Sequence, residues 1–330
     1  MRKSFHSFFT LLFFASMGIC ASAQSAQIAT LLHDGTISNY YSGNAFIEAL
    51  GAAENGDVIT LSSGIFNATD ITKNVTVRGA GISVPEMNVT VTPTILTGNF
   101  NIDCPSSETN PGTLTIEGIL HNEQINLLAA DNLNFMKCRF NSIYTNYSSD
   151  IKDISFLHCI ITELDASGGK GSISFVNSVI STLFKSCGYD GEWTYDFSNC
   201  NVYTGSSINK CNMKNSIIIM EQGSSFQTQI PANCSITNCV VANCAKYKAA
   251  NGGNKFWTGK NGIFTESGFY ELSDDVKTFT GNDGTAVGIH GGSMPFDPYL
   301  SMPKITKFKV ASKTTPDGKL SVDIEVKGVE

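Results

Sequence analysis

The sequence predicts an all-β protein, a right-handed parallel β-helix in which short strands stack as the coils of a solenoid. Three observations support this fold. A sequence pattern repeats at a step of about 20 residues, which suits neither propeller blades nor TPR units. Thr, Ser, Asn and Gly are abundant and β-branched residues dominate the apolar set, which favours strands joined by tight turns. Hairpin turns such as Asn-Gly, which a β-sandwich would need, are scarce between residues 58 and 245.

The repeated pattern is an apolar residue, any residue, Asn, Cys or Ser, any residue, and a second apolar residue. The copies that carry the Asn are Phe175–Ile180, Phe197–Val202, Met213–Ile218 and Ile236–Val241. Two looser copies have Lys137 and His158 in place of the Asn. The Cys or Ser stands at positions 138, 159, 178, 200, 216 and 239, at steps of 21, 19, 22, 16 and 23 residues. This spacing is close to one coil of a three-sided β-helix.

The spacing within the repeat predicts a corner at the Asn. Inward side chains recur every second residue along a strand, whereas the inward candidates Phe and Cys are three residues apart. Asn can adopt the left-handed backbone conformation that most residues resist. We therefore expect the Phe to end one strand, the Asn to turn the corner, and Cys-x-Ile to begin the next strand. The stacked Asn side chains are expected to hydrogen-bond from coil to coil.

The first residues are typical of a secretory signal peptide. A short basic head precedes an apolar run from Phe8 to Ile19, and residues 21–23 provide the small residues that signal peptidase accepts. We predict that residues 1–23 are removed and that the protein is exported to the periplasm, the cell surface or the extracellular space. Lipoprotein processing at Cys20 is the alternative, although the bulky Ile19 does not suit it. No later stretch is long and apolar enough for a transmembrane segment.

The remaining chain divides into a long solenoid and a short tail. Residues 44–55 place apolar side chains on one face at helical spacing after a suitable N-cap at Asn44, which predicts a helix that covers the open end of the first coil. The β-helix is expected to span residues 24–300. Two strand-like segments flank a turn signal at Thr314–Gly318, so residues 301–330 predict a short C-terminal β-hairpin.

Two segments of the chain resemble a known superfamily. Gly56–Phe66 followed by Ile71–Gly81 resembles the opening rungs of pectate-lyase-like β-helix proteins. Tyr270–Asp275 through Asp283–Gly292 resembles the closing rung of secreted β-helix proteins from Bacteroidetes. The resemblance covers roughly residues 44–300 and implies the fold alone, because β-helices host lyases, hydrolases, adhesins and inert stalks.

The charge of the chain argues against a nucleic acid as partner. Charged residues make up 15% of the sequence, and the net charge is −7. Phosphate binding needs clustered Lys and Arg, but Arg78 and Arg139 are the only arginines after the signal.

Nine cysteines follow the predicted signal peptide. Four of them occupy the inward position of the repeat at which Ser also occurs: Cys138, Cys159, Cys200 and Cys239. We predict that these are buried free thiols stacked in a ladder. Disulfides are the alternative that export suggests. Cys234, Cys239 and Cys244 lie five residues apart without an accompanying His, so we predict no zinc or other metal site and no cofactor.

The sequence contains no complete set of catalytic residues for hydrolysis. His290, with glycines on its C-terminal side, is superficially similar to the Gly-His-Gly of β-helix polygalacturonases, but the accompanying acids of that family are missing. Inverting hydrolysis needs two carboxylates, and no repeated rung offers such a pair. His158 replaces the corner Asn, so a role in the turn is expected.

A lyase would need a base and a cation that neutralises a uronate carboxylate. Lys137 and Arg139 are expected to point outward, with Asp150 and Asp153 nearby, and could form such a patch. Ordinary surface charge is the simpler interpretation.

Aromatic and acidic residues interrupt the rungs in Lys185–Tyr195 and again in Lys246–Trp257, which hold both tryptophans of the chain. Sugar rings stack on aromatic faces, while acids or amides bind their hydroxyls. The candidate ligand-binding residues are Tyr189, Asp190, Glu192, Trp193, Tyr247 and Trp257. The alternative is that the two tryptophans anchor loops on the solenoid.

The leading hypothesis is an exported, non-catalytic β-helix that presents a long flat face to a polysaccharide, a surface glycan or another cell-surface component. The rival class is a polysaccharide lyase or glycoside hydrolase with an unfamiliar site. The third class is a structural stalk or adhesin module. Aromatic loops that converge on one face would favour the binding hypothesis, whereas carboxylates at a suitable separation would favour the enzyme.

Overall fold

The computed structural model describes residues 27–87, 92–105, 112–166, 170–183, 192–204, 210–220, 234–243, 252–259, 261–266, 268–300, 304–310, 319 and 322–327. Within these residues the chain is a parallel β-solenoid of about seven turns, and most of its secondary structure is strand. The predicted fold class is confirmed. The predicted signal peptide lies outside the described residues. None of the helices in the described part of the chain is both long and apolar enough to cross a bilayer.

The secondary structure follows in chain order. The strands are β1 (Ile28–His33), β2 (Thr36–Tyr41), β3 (Val58–Leu61), β4 (Gly64–Asn67), β5 (Thr76–Arg78), β6 (Thr94–Thr97), β7 (Phe100–Cys104), β8 (Leu114–Glu117), β9 (Ile119–Met136), β10 (Arg139–Leu157), β11 (Ile160–Ala166), β12 (Lys170–Val176), β13 (Val179–Leu183), β14 (Glu192–Ser198), β15 (Asn201–Thr204), β16 (Cys211–Lys214), β17 (Ile217–Met220), β18 (Ser235–Thr237), β19 (Val240–Ala242), β20 (Lys255–Trp257), β21 (Lys304–Val310) and β22 (Val322–Lys327). The helices are α1 (Ala45–Ala52), a 3-10 turn at Pro85–Met87, and α2 (Asp274–Lys277).

The coils stack into three parallel sheets. The first sheet contains β3, β5 and β8, the end of β9 and of β10, and then β12, β14, β16 and β18. The second contains β4 and β6, the start of β9 and of β10, and then β11, β13, β15, β17, β19 and β20. The third contains β7 and the middle of β9, with parts of β10 and β11. The long strands β9 and β10 therefore bend through all three sheets.

The predicted core ladders are present in the solenoid. Phe135, Phe156, Phe175 and Phe197 stack with successive ring centroids 5.0, 5.0 and 4.7 Å apart and interplanar angles of 12°, 7° and 5°. These separations match the spacing of about 4.8 Å between neighbouring strands. The Cys and Ser ladder is completely buried beside them, and its four cysteines are free thiols as predicted.

Hydrogen bonds explain why either Cys or Ser can occupy a position in this ladder. The Ser178 hydroxyl accepts a hydrogen bond from the Cys159 N–H on the preceding coil (3.0 Å) and donates to the Val176 carbonyl (2.9 Å). Ser216 makes the corresponding pair of bonds one coil further on, and the Cys239 sulfur lies 3.4 Å from the Ser216 nitrogen. The position therefore requires a small side chain that both accepts and donates, because a purely apolar one would leave a buried N–H unpaired.

The corner residues adopt the left-handed conformation, as predicted. Their φ angles lie between +44° and +54° at Lys137, His158, Asn177, Asn199, Asn215 and Asn238. The expectation of coil-to-coil bonds between the corner amides is wrong, because the amides of Asn177 and Asn215 bind another segment instead. An amide pair across coils does occur on the third sheet, where Asn126 Nδ2 donates to Asn101 Oδ1 at 2.9 Å.

The segment that the corners bind is formed by residues 261–266 and 268–300, which we call the return segment. After the last coil it runs back over the outer face of the second sheet towards the first coils. Asn215 Nδ2 donates to Asn282 Oδ1 (2.9 Å), and Asn177 Nδ2 donates to the carbonyls of Ile289 (3.0 Å) and Gly291 (2.8 Å). Later residues of the return segment thus bind the corners of earlier coils.

Two corners have another residue in place of Asn, and both bind the last part of the return segment. His158 Nε2 lies 3.2 Å from the Met294 carbonyl, and Nδ1 lies 3.3 Å from the Asp297 N–H. Lys137 is buried, and its ammonium group pairs with the Asp297 carboxylate at 2.9 Å. The turn role expected for His158 is therefore observed, together with a tertiary contact that the repeat alone does not indicate.

The N-terminal end of the core is covered by α1, which is shorter than the predicted 44–55. Ala45, Phe46, Ala49 and Leu50 are buried against the first coil. Asn44 occupies the N-cap position without a side-chain capping bond, because its Oδ1 accepts from Asn67 Nδ2 (2.7 Å). Lys73 closes the other end of the helix by donating to the carbonyls of residues 50, 51 and 53.

Near the C-terminus, β21 and β22 pair antiparallel. The residues that join them lie outside the described part of the chain.

Candidate functional site

The structure does not bring the predicted ligand-binding residues together. Trp193 lies on β14 in the first sheet with only 2% of its surface exposed, so its ring belongs to the core. Trp257 lies on β20 in the second sheet and is half-buried. Glu192 begins β14, and its side chain lies outside the described residues, as do Tyr189, Asp190 and Tyr247 altogether. The ligand-binding role of this set stays a prediction.

Trp257 has contacts that anchor its ring. Its indole N–H donates to the Asn261 carbonyl at 2.9 Å, and the Lys255 ammonium lies 5.4 Å from the ring centroid. The ring also packs against the apolar cluster beneath the return segment. These contacts fit the loop-anchoring alternative, although part of the ring remains exposed.

The outer face of the second sheet changes character along the solenoid. Towards the C-terminal end its outward residues are apolar and packed beneath the return segment; they are Ile217, Ile219, Val240 and Ala242, covered by Ile263, Leu272, Val276 and Val287. Towards the N-terminal end the outward residues are mixed. Ile160 and Val179 are apolar and packed beneath Ile289 and Phe296, whereas Arg139, Thr162 and Ser181 are polar and at least partly exposed. An apolar strip needs a cover, whereas a polar strip can face water or a ligand.

A cleft of about 380 Å³ lies over this polar strip. Its floor is formed by β10, β11 and β13, one wall by the 3-10 turn at Pro85–Met87, and the other wall by Phe264 and residues 268–270 of the return segment. The lining residues are Glu86, Arg139, Ile160, Thr162, Ser181, Phe264, Gly268, Phe269 and Tyr270. The volume falls within the range of roughly 300–1,000 Å³ that is usual for small-molecule sites.

Tyr270 is the most distinctive residue of the cleft. Its φ of +53° is a left-handed conformation that is uncommon for a bulky side chain, and such strain tends to occur at functional sites. Its ring packs edge-on against Phe264 (5.1 Å between centroids) and Phe269 (4.9 Å). The wall is therefore an aromatic cluster that holds one phenol at the cleft.

Hydrogen bonds hold the Tyr270 hydroxyl at the cleft. It is bonded to the hydroxyls of Ser181 and Tyr203. Burial raises the pKa of Tyr270 above its ordinary value, and burial does the same to the pKa of Tyr203. Both phenols are accordingly neutral donors rather than bases at neutral pH.

The cleft contains one cation and one carboxylate. Arg139 is exposed and points outward as predicted, and within the described residues it makes no ion pair. Glu86 lies on the opposite wall and is also exposed. The predicted outward patch of Lys137 with Arg139 is wrong, because Lys137 is buried at the corner and paired with Asp297.

His290 has a structural role in the wall of the cleft rather than a catalytic one. Its Nε2 donates to the Phe269 carbonyl at 2.8 Å, next to the strained Tyr270. The Gly288 and Gly292 backbones near it have φ angles of +77° and +79°, and they lie close to the side chains of Asn201 and Asn199. The glycines thus let the return segment approach the solenoid closely. The similarity of the sequence around His290 to a catalytic motif did not indicate this role.

The flat face of the first sheet is a weaker site. Its outward polar side chains bind one another across coils: Ser155 donates to Asn134 (2.7 Å), Asn212 donates to Asp196 (2.9 Å), and Ser172 donates to Asp153. Donors and acceptors used in this way are less available to a ligand. In the described part of the chain, no three His, Cys, Asp or Glu side chains cluster closely enough to hold a metal ion.

The cleft combines three kinds of chemistry in one concave site. Phe264 and Phe269 offer apolar aromatic surface, Thr162, Ser181 and Tyr270 carry hydroxyls, and Arg139 provides a planar cationic donor set. This arrangement suits a ligand with both apolar faces and many hydroxyl groups. Hydrolysis by paired carboxylates is not favoured here, since Glu86 is the single carboxylate among the described lining residues.

Comparison of the chain with protein-family models, with curated proteins and with solved structures finds no match.

Proposed function

We propose that this protein is an exported, non-catalytic β-helix of the pectate-lyase-like type found in Bacteroidetes, and that it binds a short segment of a polysaccharide or surface glycan. The observation that carries the proposal is the cleft between the 3-10 turn and the wall of Phe264 and residues 268–270, where aromatic rings face Arg139 and a row of hydroxyls. Sugars are bound by this combination of aromatic packing and hydrogen bonds.

The export predicted from the sequence supports the same proposal. The basic head, the apolar run and residues 21–23 are typical of a signal peptide. An exported protein meets polysaccharides of the cell surface and of the surroundings.

The test is a glycan array with the purified chain of residues 24–330, followed by measurement of Kd for each ligand found. Arg139→Ala is expected to raise Kd roughly tenfold or more, because charged hydrogen bonds contribute about 1.5–3 kcal/mol. Tyr270→Phe removes only the hydroxyl, so a rise of roughly fivefold in Kd is expected. Arg78→Ala is the matched control, since Arg78 pairs with Glu117 (3.4 Å) outside the cleft, and it should leave Kd unchanged.

Two other results would redirect the proposal. If Trp257→Ala abolished binding while Arg139→Ala had no effect, the ligand would bind at the predicted aromatic loops instead of the cleft. If reducing or unsaturated ends were released from a polysaccharide, the protein would be a glycoside hydrolase or a lyase. Absence of both binding and product across plant, host and microbial glycans would favour a structural stalk or adhesin module.

A further inference from the structure

Two cysteines outside the core ladder face each other across neighbouring coils. Cys211 begins β16, and Cys234 immediately precedes β18. Asn212 pairs with Ser235 in these parallel strands, so Cys211 and Cys234 hold equivalent positions one residue earlier. Their thiols are reduced and hydrogen-bonded to each other.

The coil spacing suits a covalent bond between them. Neighbouring strands lie about 4.8 Å apart, and disulfides join residues whose Cα atoms are roughly 4.4–6.8 Å apart. The two sulfur atoms already point towards each other, since one thiol donates to the other. Little backbone movement is therefore needed to close the bond.

Accessibility separates this pair from the other thiol pair on adjacent coils. Cys138 and Cys159 are completely buried, and their sulfurs are bonded to the carbonyls of Met136 (3.2 Å) and Leu157 (3.4 Å). Cys234 is only half-buried, whereas its neighbour Cys211 is buried. An oxidant can thus approach Cys234 first.

We propose that Cys211 and Cys234 form a disulfide that joins the coils of β16 and β18. The oxidant is a disulfide of the thiol–disulfide exchange class, either a small-molecule disulfide or the active-site disulfide of an oxidoreductase. The Cys234 thiolate attacks it, forming a mixed disulfide and releasing one thiolate. Cys211 then gives up its proton, and its sulfur attacks the Cys234 sulfur and expels the second thiolate. Two cysteines are oxidised, and the oxidant is reduced to two thiols.

The electrostatics of the pair favour this order. The hydrogen bond from Cys211 lowers the pKa of Cys234, which increases the share of reactive thiolate at neutral pH. The same bond, together with burial, raises the pKa of Cys211, so Cys211 acts second. The disulfide would close a chain segment, residues 212–233, which contains β17 and the residues that lead from it towards β18.

The proposal rests on the proposed export only for the oxidising compartment that would form the bond in the cell. It is tested on the purified full chain, reduced and then exposed to oxidised glutathione. We expect a mass decrease of about 2 Da per chain and, after digestion, one peptide pair that joins Cys211 to Cys234. The oxidised chain should unfold at a temperature roughly 5 °C higher than the reduced chain.

Variants separate this pair from the ladder thiols. Cys234→Ser and Cys211→Ser should each abolish the linked peptide and the difference in unfolding temperature. Cys138→Ser is the matched control, because serine already occupies that ladder position in other coils, and it should preserve both. Linkage of either cysteine to Cys239, or full alkylation of both in denaturant without reductant, would overturn the inference. If the disulfide forms in vitro while both thiols are found reduced in the protein isolated from its native host, that combination would support the Cys211–Cys234 pairing and contradict the proposed export.

Discussion

At the scale of single residues, the solenoid depends on two positions with different requirements. The corner needs a residue that tolerates positive φ, and the ladder needs a small residue that accepts and donates a hydrogen bond. Both could be predicted in outline from the repeat, since Asn and Cys or Ser recur there. The partner of the corner amide could not, because the return segment is more than sixty residues away along the chain from every corner that it binds.

Substitutions at Asn177 separate the two contributions of a corner residue. Asn177→Ala should destabilise the protein by about 2–4 kcal/mol, because Ala resists a φ of +44° and two buried carbonyls lose their donor. Asn177→Gly should cost about 1–2 kcal/mol less, since Gly accepts the conformation. Chemical denaturation measures both. Equal losses for Ala and Gly would show that the backbone conformation contributes nothing.

At the scale of elements, α1 and the return segment perform the same task on different surfaces. The helix covers the open end of the core, and the return segment covers apolar residues on the outer face of the second sheet. The helix was predictable because its apolar spacing is local, although its end at Ala52 rather than residue 55 depends on Lys73 from the next coil. The cleft was not predictable, because it exists only where the return segment leaves the second sheet uncovered.

The cover provided by α1 can be tested with neighbouring residues. Phe46→Ala should destabilise the protein by about 3–5 kcal/mol, since the ring is completely buried at the end of the core. Ile47→Ala provides the control, because Ile47 is 37% exposed on the outer side of the same helix, and a change below about 1 kcal/mol is expected. Denaturant midpoints compare the two. Similar effects of both substitutions would mean that the helix does not seal the core.

At the scale of the whole molecule, the return segment changes how stability is distributed. In a simple solenoid each coil contacts only its neighbours, and stability is a sum of local terms. Here one segment binds the corners at Asn215, Asn177, His158 and Lys137, so distant coils share a common partner. We expect the described coils to unfold more cooperatively than the coils of a solenoid without a return segment would.

Protonation of His158 should loosen this shared contact. Burial lowers the pKa of His158 below 6.5, so the ring is neutral in the folded state and its Nδ1 can accept from the Asp297 N–H. The unfolded chain binds the proton more readily, and stability should therefore fall as the pH drops below about 6.5 towards the lowered pKa. Nearby Lys137 adds to the effect, and Asp297 opposes it.

Denaturation midpoints between pH 8 and pH 5 test this dependence. His158→Asn restores the usual corner residue and should make the loss at acid pH shallower. His33→Asn should make it steeper, because Asp57 raises the pKa of His33, whose contribution is present at low pH and lost as the pH rises through that pKa. The interpretation fails if His158→Asn leaves the pH profile unchanged.

The length of the return segment also constrains the number of coils between its two ends. The segment joins the corner at Asn215 to the coil of Gly118, whose backbone lies against Leu300, and it does so with a fixed number of residues. A coil gained by duplication would move these anchor points apart by about 4.8 Å and shift every later contact out of register. A coil can therefore be gained or lost between these two anchor points only if the length of the return segment changes as well.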